Sequence, residues 1–237
     1  MSGKVTQEKE MEKSRAAKEF DTNLSQFPES LCKTGLAQQF EPPPGTDEPA
    51  AGNQRAAWRL LRTSGVLQAW ESIGAEIRLV GSLRTGLLAK HRDIDLHVYT
   101  AELNPAESFR AMGRFAENPA VTQMTYRNLA GTPEECLEWH ADYRAEDGAL
   151  WTLDMIQIRK GSRYDGVFEK IAERVEAVLS PETRRTILHL KYAADETEHV
   201  MGIEYCRAVL EGGVSTPEEF RAWRRAHPVE GILEWSP

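Results

Sequence analysis

Polar and apolar residues follow two successive rhythms along this chain. From about residue 75 to residue 158 they mostly alternate at a spacing of two, and beyond Gly161 the apolar positions recur at three and four. Alternation places successive side chains on opposite faces of a strand, whereas the wider spacing collects them on one face of a helix. The segments AEIRLV (75–80), DIDLHVYT (93–100), VTQMTYRNL (121–129), ECLEWHADYRA (135–145) and ALWTLDMIQI (149–158) therefore predict strands. Glu146-Asp147-Gly148 joins the last two, and Asp-Gly is a strong hairpin signal. Ahead of the strands, Val66, Trp70 and Ile73 recur at helical spacing behind a possible cap, Ser64. Pro105 to Asn118 predicts a helix with Phe109, Met112 and Phe115 on one face.

The C-terminal rhythm has clear punctuation. Ser180-Pro181 supplies a cap and an N1 proline for a helix expected to run to Gly212-Gly213. Thr216 and Glu219 then form a capping box for a last helix carrying Phe220 and Trp223. The order of elements predicts an α/β (α+β) body with a mixed sheet flanked by helices, followed by a helical region. Residues 1–20 are rich in Lys and Glu with little to bury, and 39–53 read as a Pro- and Gly-rich connector. The expected division is 1–52 tail and connector, 53–162 main domain and 163–237 helical region.

Composition narrows the function classes. The 237 residues are 41% hydrophobic with a formal net charge of -8, so no global basic surface is available for gripping a long nucleic acid. No run of about eighteen apolar residues predicts a membrane span, and the first twenty residues lack the apolar core of a secretory signal. Cys32, Cys136 and Cys206 are far apart and form no CxxC pair, which suits reduced packing thiols in a cytoplasmic protein. Trp139, Trp151 and Trp223 read as core.

The candidate chemistry lies between Val80 and Thr100. In DIDLHVYT, Asp93, Asp95 and His97 share one strand face while Ile94, Leu96 and Val98 share the other. Two adjacent carboxylates repel each other, and a pair of bridged Mg²⁺ ions, or Mn²⁺ in their place, relieves that repulsion and serves phosphoryl or nucleotidyl transfer. A two-metal site calls for a third carboxylate from a neighbouring strand. Asp154 suits because an unpaired acid among apolar neighbours is costly; Asp142, on the partner strand, is the rival. Upstream, Gly81 permits close approach of backbone to phosphate, and Ser82 offers a hydroxyl and an N–H at the start of a turn.

Taken in order, the apolar-Gly81-Ser82 turn, the spacer and Asp93-Ile94-Asp95-Leu96 resemble the signature of the nucleotidyltransferase superfamily that includes DNA polymerase beta. The resemblance implies that Asp93 and Asp95 hold both metals, that Asp154 orients or activates an acceptor hydroxyl, and that Gly81 and Ser82 bind the β- and γ-phosphates of an NTP. It also suggests Lys191 as a further triphosphate contact, with Tyr192 beside it as a base-stacking partner. Arg84 is a phosphate candidate on the chemistry of guanidinium, and an exposed structural arginine equally; Arg92 divides between steering a triphosphate and facing solvent. His97 reads as a hydrogen-bonded sheet residue, and His140, His189 and His199 lack zinc-site spacing. The implied function is Mg²⁺-dependent transfer of NMP from an NTP to an unidentified acceptor, a small molecule or protein rather than a long nucleic acid, with release of pyrophosphate. The alternatives are a non-catalytic nucleotide-binding regulatory or antitoxin-like protein of the same fold and, more remotely, an ATP-using phosphotransferase or hydrolase.

Overall fold

The computed structural model describes residues 48–195, 200–229 and 235–237. The chain begins with helices α1 (Glu48–Thr63) and α2 (Val66–Glu71), then strand β1 (Glu76–Leu79), the single turn α3 (Gly81–Arg84) and β2 (Asp93–Thr100). Helix α4 (Pro105–Ala116) leads to β3 (Val121–Asn128), β4 (Cys136–Arg144) and β5 (Leu150–Arg159). Four helices follow: α5 (Val167–Val178), α6 (Pro181–Ala193), α7 (Gly202–Leu210) and α8 (Pro217–Ala226).

The strands form one mixed sheet in the order β1-β2-β5-β4-β3, in which β2 and β5 are parallel and the other pairs antiparallel. One face is apolar. Ile77, Leu79, Ile94, Leu96, Val98, Leu153 and Met155 are buried there with Trp58 and Leu61 of α1, Trp70 of α2 and Met112 and Phe115 of α4. Trp70 meets its polar requirement inside this core through Nε1–H to Met155 Sδ at 3.2 Å. Leu87, Ile187, Leu188, Tyr205, Cys206 and Phe220 form a second core in which α5–α8 pack together. Among the described residues, no helix is long and apolar enough to cross a membrane.

Strand alternation translated directly into the two sheet faces, and the Ser180 cap and the Thr216–Glu219 box form as expected. Three expectations need correction. The helix from Pro181 is two helices, α6 ending at Ala193 and α7 starting at Gly202, because apolar spacing continues across a backbone break that it does not signal. Residues 48–53, assigned to the connector, are the start of α1; Ala50 and Ala51 are buried, and Pro49 falls in the first turn, where its missing N–H costs nothing. Trp223, read as core, is half-buried at the rim of the second core, whereas Trp139 and Trp151 are buried. Phe109 is half exposed and lies edge-on to Tyr126 and Trp139. The N-terminal tail with Cys32, and His199, lie outside the described residues.

Candidate active site

The polar face of the sheet carries the chemistry. Parallel pairing sets Asp95 directly opposite Asp154, and Asp93 opposite Thr152. Antiparallel pairing of β4 and β5 sets His140 opposite Asp154 and Asp142 opposite Thr152. Asp93, Asp95 and Asp154 therefore share one face across two adjacent strands and interact electrostatically. Asp142 lies a strand further out, with Thr152 Oγ1 at 3.5 Å from its carboxylate, a marginal hydrogen bond.

The turn after β1 is built around Gly81. Val80 N–H bonds to Asp95 O at 3.0 Å, which brings the turn across the middle of β2. Gly81 then adopts φ 66°, and a Cβ there would fall 1.9 Å from Asp95 Oδ2. No larger residue fits without moving that carboxylate. Ser82 N–H donates to the Asp95 carboxylate, so the turn and the acidic strand are one unit. Arg184, buried in α6, donates to Thr85 O at 2.6 Å and Gly86 O at 3.1 Å, fixing the end of the turn.

Lys191 is buried on α6 and reaches the same turn. Its Nζ donates to Ser82 Oγ at 2.7 Å and Leu87 O at 2.9 Å. Burial lowers its pKa, while Asp93 and Asp95 act in the opposite direction. Gly202, the first residue of α7, completes the enclosure: a Cβ on it would stand 3.2 Å from Ser82 Oγ and 3.9 Å from Lys191 Nζ. Phosphate oxygens entering here would meet a hydroxyl, an ammonium group and exposed backbone within a small volume.

The electrostatics of the acids follow from their crowding. Asp95 keeps some surface toward the cleft but is otherwise surrounded by protein. Burial, then Asp93 and Asp154, push its carboxyl up to about 7, against the pull of Lys191 and the Ser82 N–H. Burial also raises the Asp154 carboxyl, although its hydrogen bond with His140 opposes the rise. Among the described residues, no three His, Cys, Asp or Glu side chains converge to enclose a metal ion, and Asp154 is turned to His140 Nδ1. The donor set still fits a hard divalent cation: the ligand atoms are carboxylate oxygens, and their mutual repulsion is what a cation would relieve.

A cleft of about 580 Å³ opens from this cluster between the sheet, α5 and α7. Gly81, Ser82 and the three aspartates line one part, and Ile156, Ile158, Phe168 and Ile203 give the rest apolar walls. Arg84 is not on those walls; it forms an ion pair with Glu176 of α5. Tyr192 and Lys191 are also absent from them: Tyr192 is half-buried against the second core, and the buried Lys191 stands behind the wall with its Nζ on Ser82. Arg92 is exposed at the foot of β2. His97 lines the cleft and bonds through Nδ1 to Glu169 at 3.1 Å, in keeping with its expected role in the sheet.

Residues 64–188 match the model of the nucleotidyltransferase domain, more than half of the chain. The chain belongs to the nucleotidyltransferase domain family. The matched span of this nucleotidyltransferase contains the Gly81-Ser82 turn and all three aspartates. Among solved structures, that of the GLD-2/RNP-8 complex has a TM-score of 0.50 at 10% identity, covering 73% of this chain and 61% of that one. It shares the fold. The Cid1 poly(U) polymerase with MgGTP bound gives a TM-score of 0.48 at 17% identity, over 70% of this chain and 50% of that one. A cytoplasmic RNA terminal U-transferase gives 0.44 at 17%, over 70% and 48%. The chain thus spans between about half and three-fifths of the length of these structures. A search of curated protein sequences found no match.

Sequence reasoning missed Arg184, Gly202 and His140. The first two reach the turn from helices distant in the chain. The third acts across a strand pair whose register alternation alone does not reveal.

Proposed function

We propose that this nucleotidyltransferase moves NMP from an NTP to an acceptor hydroxyl and releases pyrophosphate. The observation that carries the reading is the contact of the Gly81-Ser82 turn with both Asp95 and Lys191, with Asp154 directly opposite Asp95 on the neighbouring strand. That arrangement supplies a phosphate cradle, a pair of oxygen donors for divalent cations and a separate carboxylate in a single cleft.

Ser82, Lys191 and the backbone at Gly81 hold the β- and γ-phosphates and so orient the α-phosphorus toward the aspartates. Asp93 and Asp95 would hold Mg²⁺, with Asp154 as a further ligand, and the bound metal would supply neutralisation of charge on the attacking and leaving oxygens. Asp154 accepts the acceptor's proton. The apolar walls receive the base and keep water from the reacting centre.

The cleft also favours a class of acceptor. Its described walls combine apolar side chains with carboxylates, Glu134 among them, and hold no Lys or Arg, which suits a compact hydroxyl compound or a protein side chain better than a phosphate backbone. Three carboxylates crowded on one face beside the Gly81-Ser82 turn suit divalent-cation chemistry and so favour turnover over simple nucleotide binding. The test is to incubate the protein with Mg²⁺ and each NTP, offering a metabolite extract, a protein extract or a short RNA, and to identify products by mass. Pyrophosphate together with an NMP-modified small molecule or protein supports the reading. Extension of the RNA alone overturns the acceptor class, and ADP with inorganic phosphate overturns nucleotidyl transfer.

A further inference from the structure

Asp154 does not stand alone on its strand. His140 Nδ1 bonds to Asp154 Oδ1, and His140 Nε2 bonds to Glu138 Oε1. Arg127, on the edge strand, contacts both carboxylate oxygens of Glu138 at 3.2 Å. A continuous polar chain thus crosses three strands, from Arg127 on β3 through Glu138 and His140 on β4 to Asp154 on β5. Its members project from one sheet face because each pair is in direct register: Arg127 with Glu138, and His140 with Asp154.

We propose that His140 is a positioning residue, which clamps one oxygen of Asp154 so that the other is presented to the acceptor and its metal. The proposal rests on the reading of Asp154 as the third carboxylate. An aspartate with more than a quarter of its side chain exposed can otherwise turn about two torsions, and a bond to a ring anchored at its far side removes that freedom. The imidazole is well suited to this work. It is rigid, its two nitrogens point in divergent directions, and each is engaged by a carboxylate on a different strand. The same contact explains why Asp154 rather than Asp142 takes the third position: Asp142 has no comparable anchor, only the 3.5 Å approach of Thr152 Oγ1. Glu138 and Arg127 act one step further out, through the orientation of the His140 ring.

The experiment compares wild-type protein with His140→Ala, His140→Asn, Glu138→Gln and Asp154→Asn. Each is loaded with α,β-methylene-ATP and titrated with Mn²⁺ by calorimetry, and pyrophosphate release from ATP with water as acceptor is followed separately. Loss of an outer partner of a metal-binding carboxylate commonly weakens metal affinity or activity about ten- to a hundredfold. His140→Ala is expected to weaken the Mn²⁺ site that Asp154→Asn also weakens, and to lower kcat by a similar factor while KM for ATP changes less than about threefold. His140→Asn, whose amide N–H can occupy the place of Nδ1, should recover part of both losses, as a merely structural histidine would not. Glu138→Gln should add nothing in the His140→Ala background. Equal Mn²⁺ affinity and kcat in His140→Ala and wild type, with Asp154→Asn impaired, overturns the proposal. Wild-type behaviour of Asp154→Asn overturns the reading of Asp154 itself, and the proposal with it.

Discussion

Gly81 is the residue at which backbone conformation and chemistry meet. Its left-handed φ and the 1.9 Å approach of an added Cβ to Asp95 Oδ2 leave no room for a side chain. Gly81→Ala is expected to lower stability by about 2–3 kcal/mol and to abolish ATP binding, measured by denaturant melts and calorimetry. Lys191, buried against the same turn, is the ammonium group proposed to meet the triphosphate. A hydrogen bond to a charged group contributes roughly 1.5–3 kcal/mol, so Lys191→Met should weaken ATP affinity about ten- to a hundredfold while circular dichroism is unchanged. At this scale the sequence was informative about Gly81, Ser82, Asp93 and Asp95, because a short motif places them within one turn and one strand. It favoured Asp154 over Asp142 on the apolar character of its neighbours alone; that β5 lies beside β2 in parallel, with Asp154 opposite Asp95, was not legible. Nor did it anticipate that Arg84 turns to Glu176, ninety-two residues away in the chain.

At the scale of elements, the helical region closes the Gly81-Ser82 turn from outside. Glu176 on α5 pairs with the nearly buried Arg84 on α3, and Arg184 on α6 holds the carbonyls that follow it. Glu176→Ala would strand a buried guanidinium and is expected to cost about 2–3 kcal/mol, less than a fully enclosed pair because Glu176 keeps a quarter of its surface. Glu176→Gln retains a hydrogen-bond acceptor and should cost less; thermal melts of the two variants test the order. The strands were legible because one face of the sheet is largely apolar and the other carries the polar residues of Asp93–His97 and His140–Asp142, although Tyr99, Ile156 and Ile158 make part of that second face apolar. The break between α6 and α7 was not legible. Gly202 begins the second helix to bring its backbone against Ser82 and Lys191, a tertiary requirement with no periodic signature.

Over the whole molecule, crowded acids make the fold's stability depend on pH and on divalent cations. Asp95 has a folded pKa of about 7 against an ordinary value of 3.8. The folded state therefore holds the proton more tightly than the unfolded chain. Its contribution is fully present below pH 4 and is lost as pH rises through 7, by at most about 4 kcal/mol. In EDTA the melting temperature should fall between pH 5 and 7.5 from this group, and excess Mg²⁺ should flatten the fall by binding the deprotonated form. The architecture was readable in outline as a mixed sheet followed by helices, but the cleft was not, because it forms between segments that share no local pattern. The most direct measurement of the central claim is pyrophosphate release and NMP transfer from [α-³²P]ATP in Mg²⁺ with a cell extract as acceptor, comparing wild type with Asp93→Ala. Wild type is expected to put label on an acceptor with equimolar pyrophosphate, and the variant to lose at least about a thousandfold, roughly 4 kcal/mol; undiminished transfer by Asp93→Ala would rule out a two-metal nucleotidyl transfer at this site.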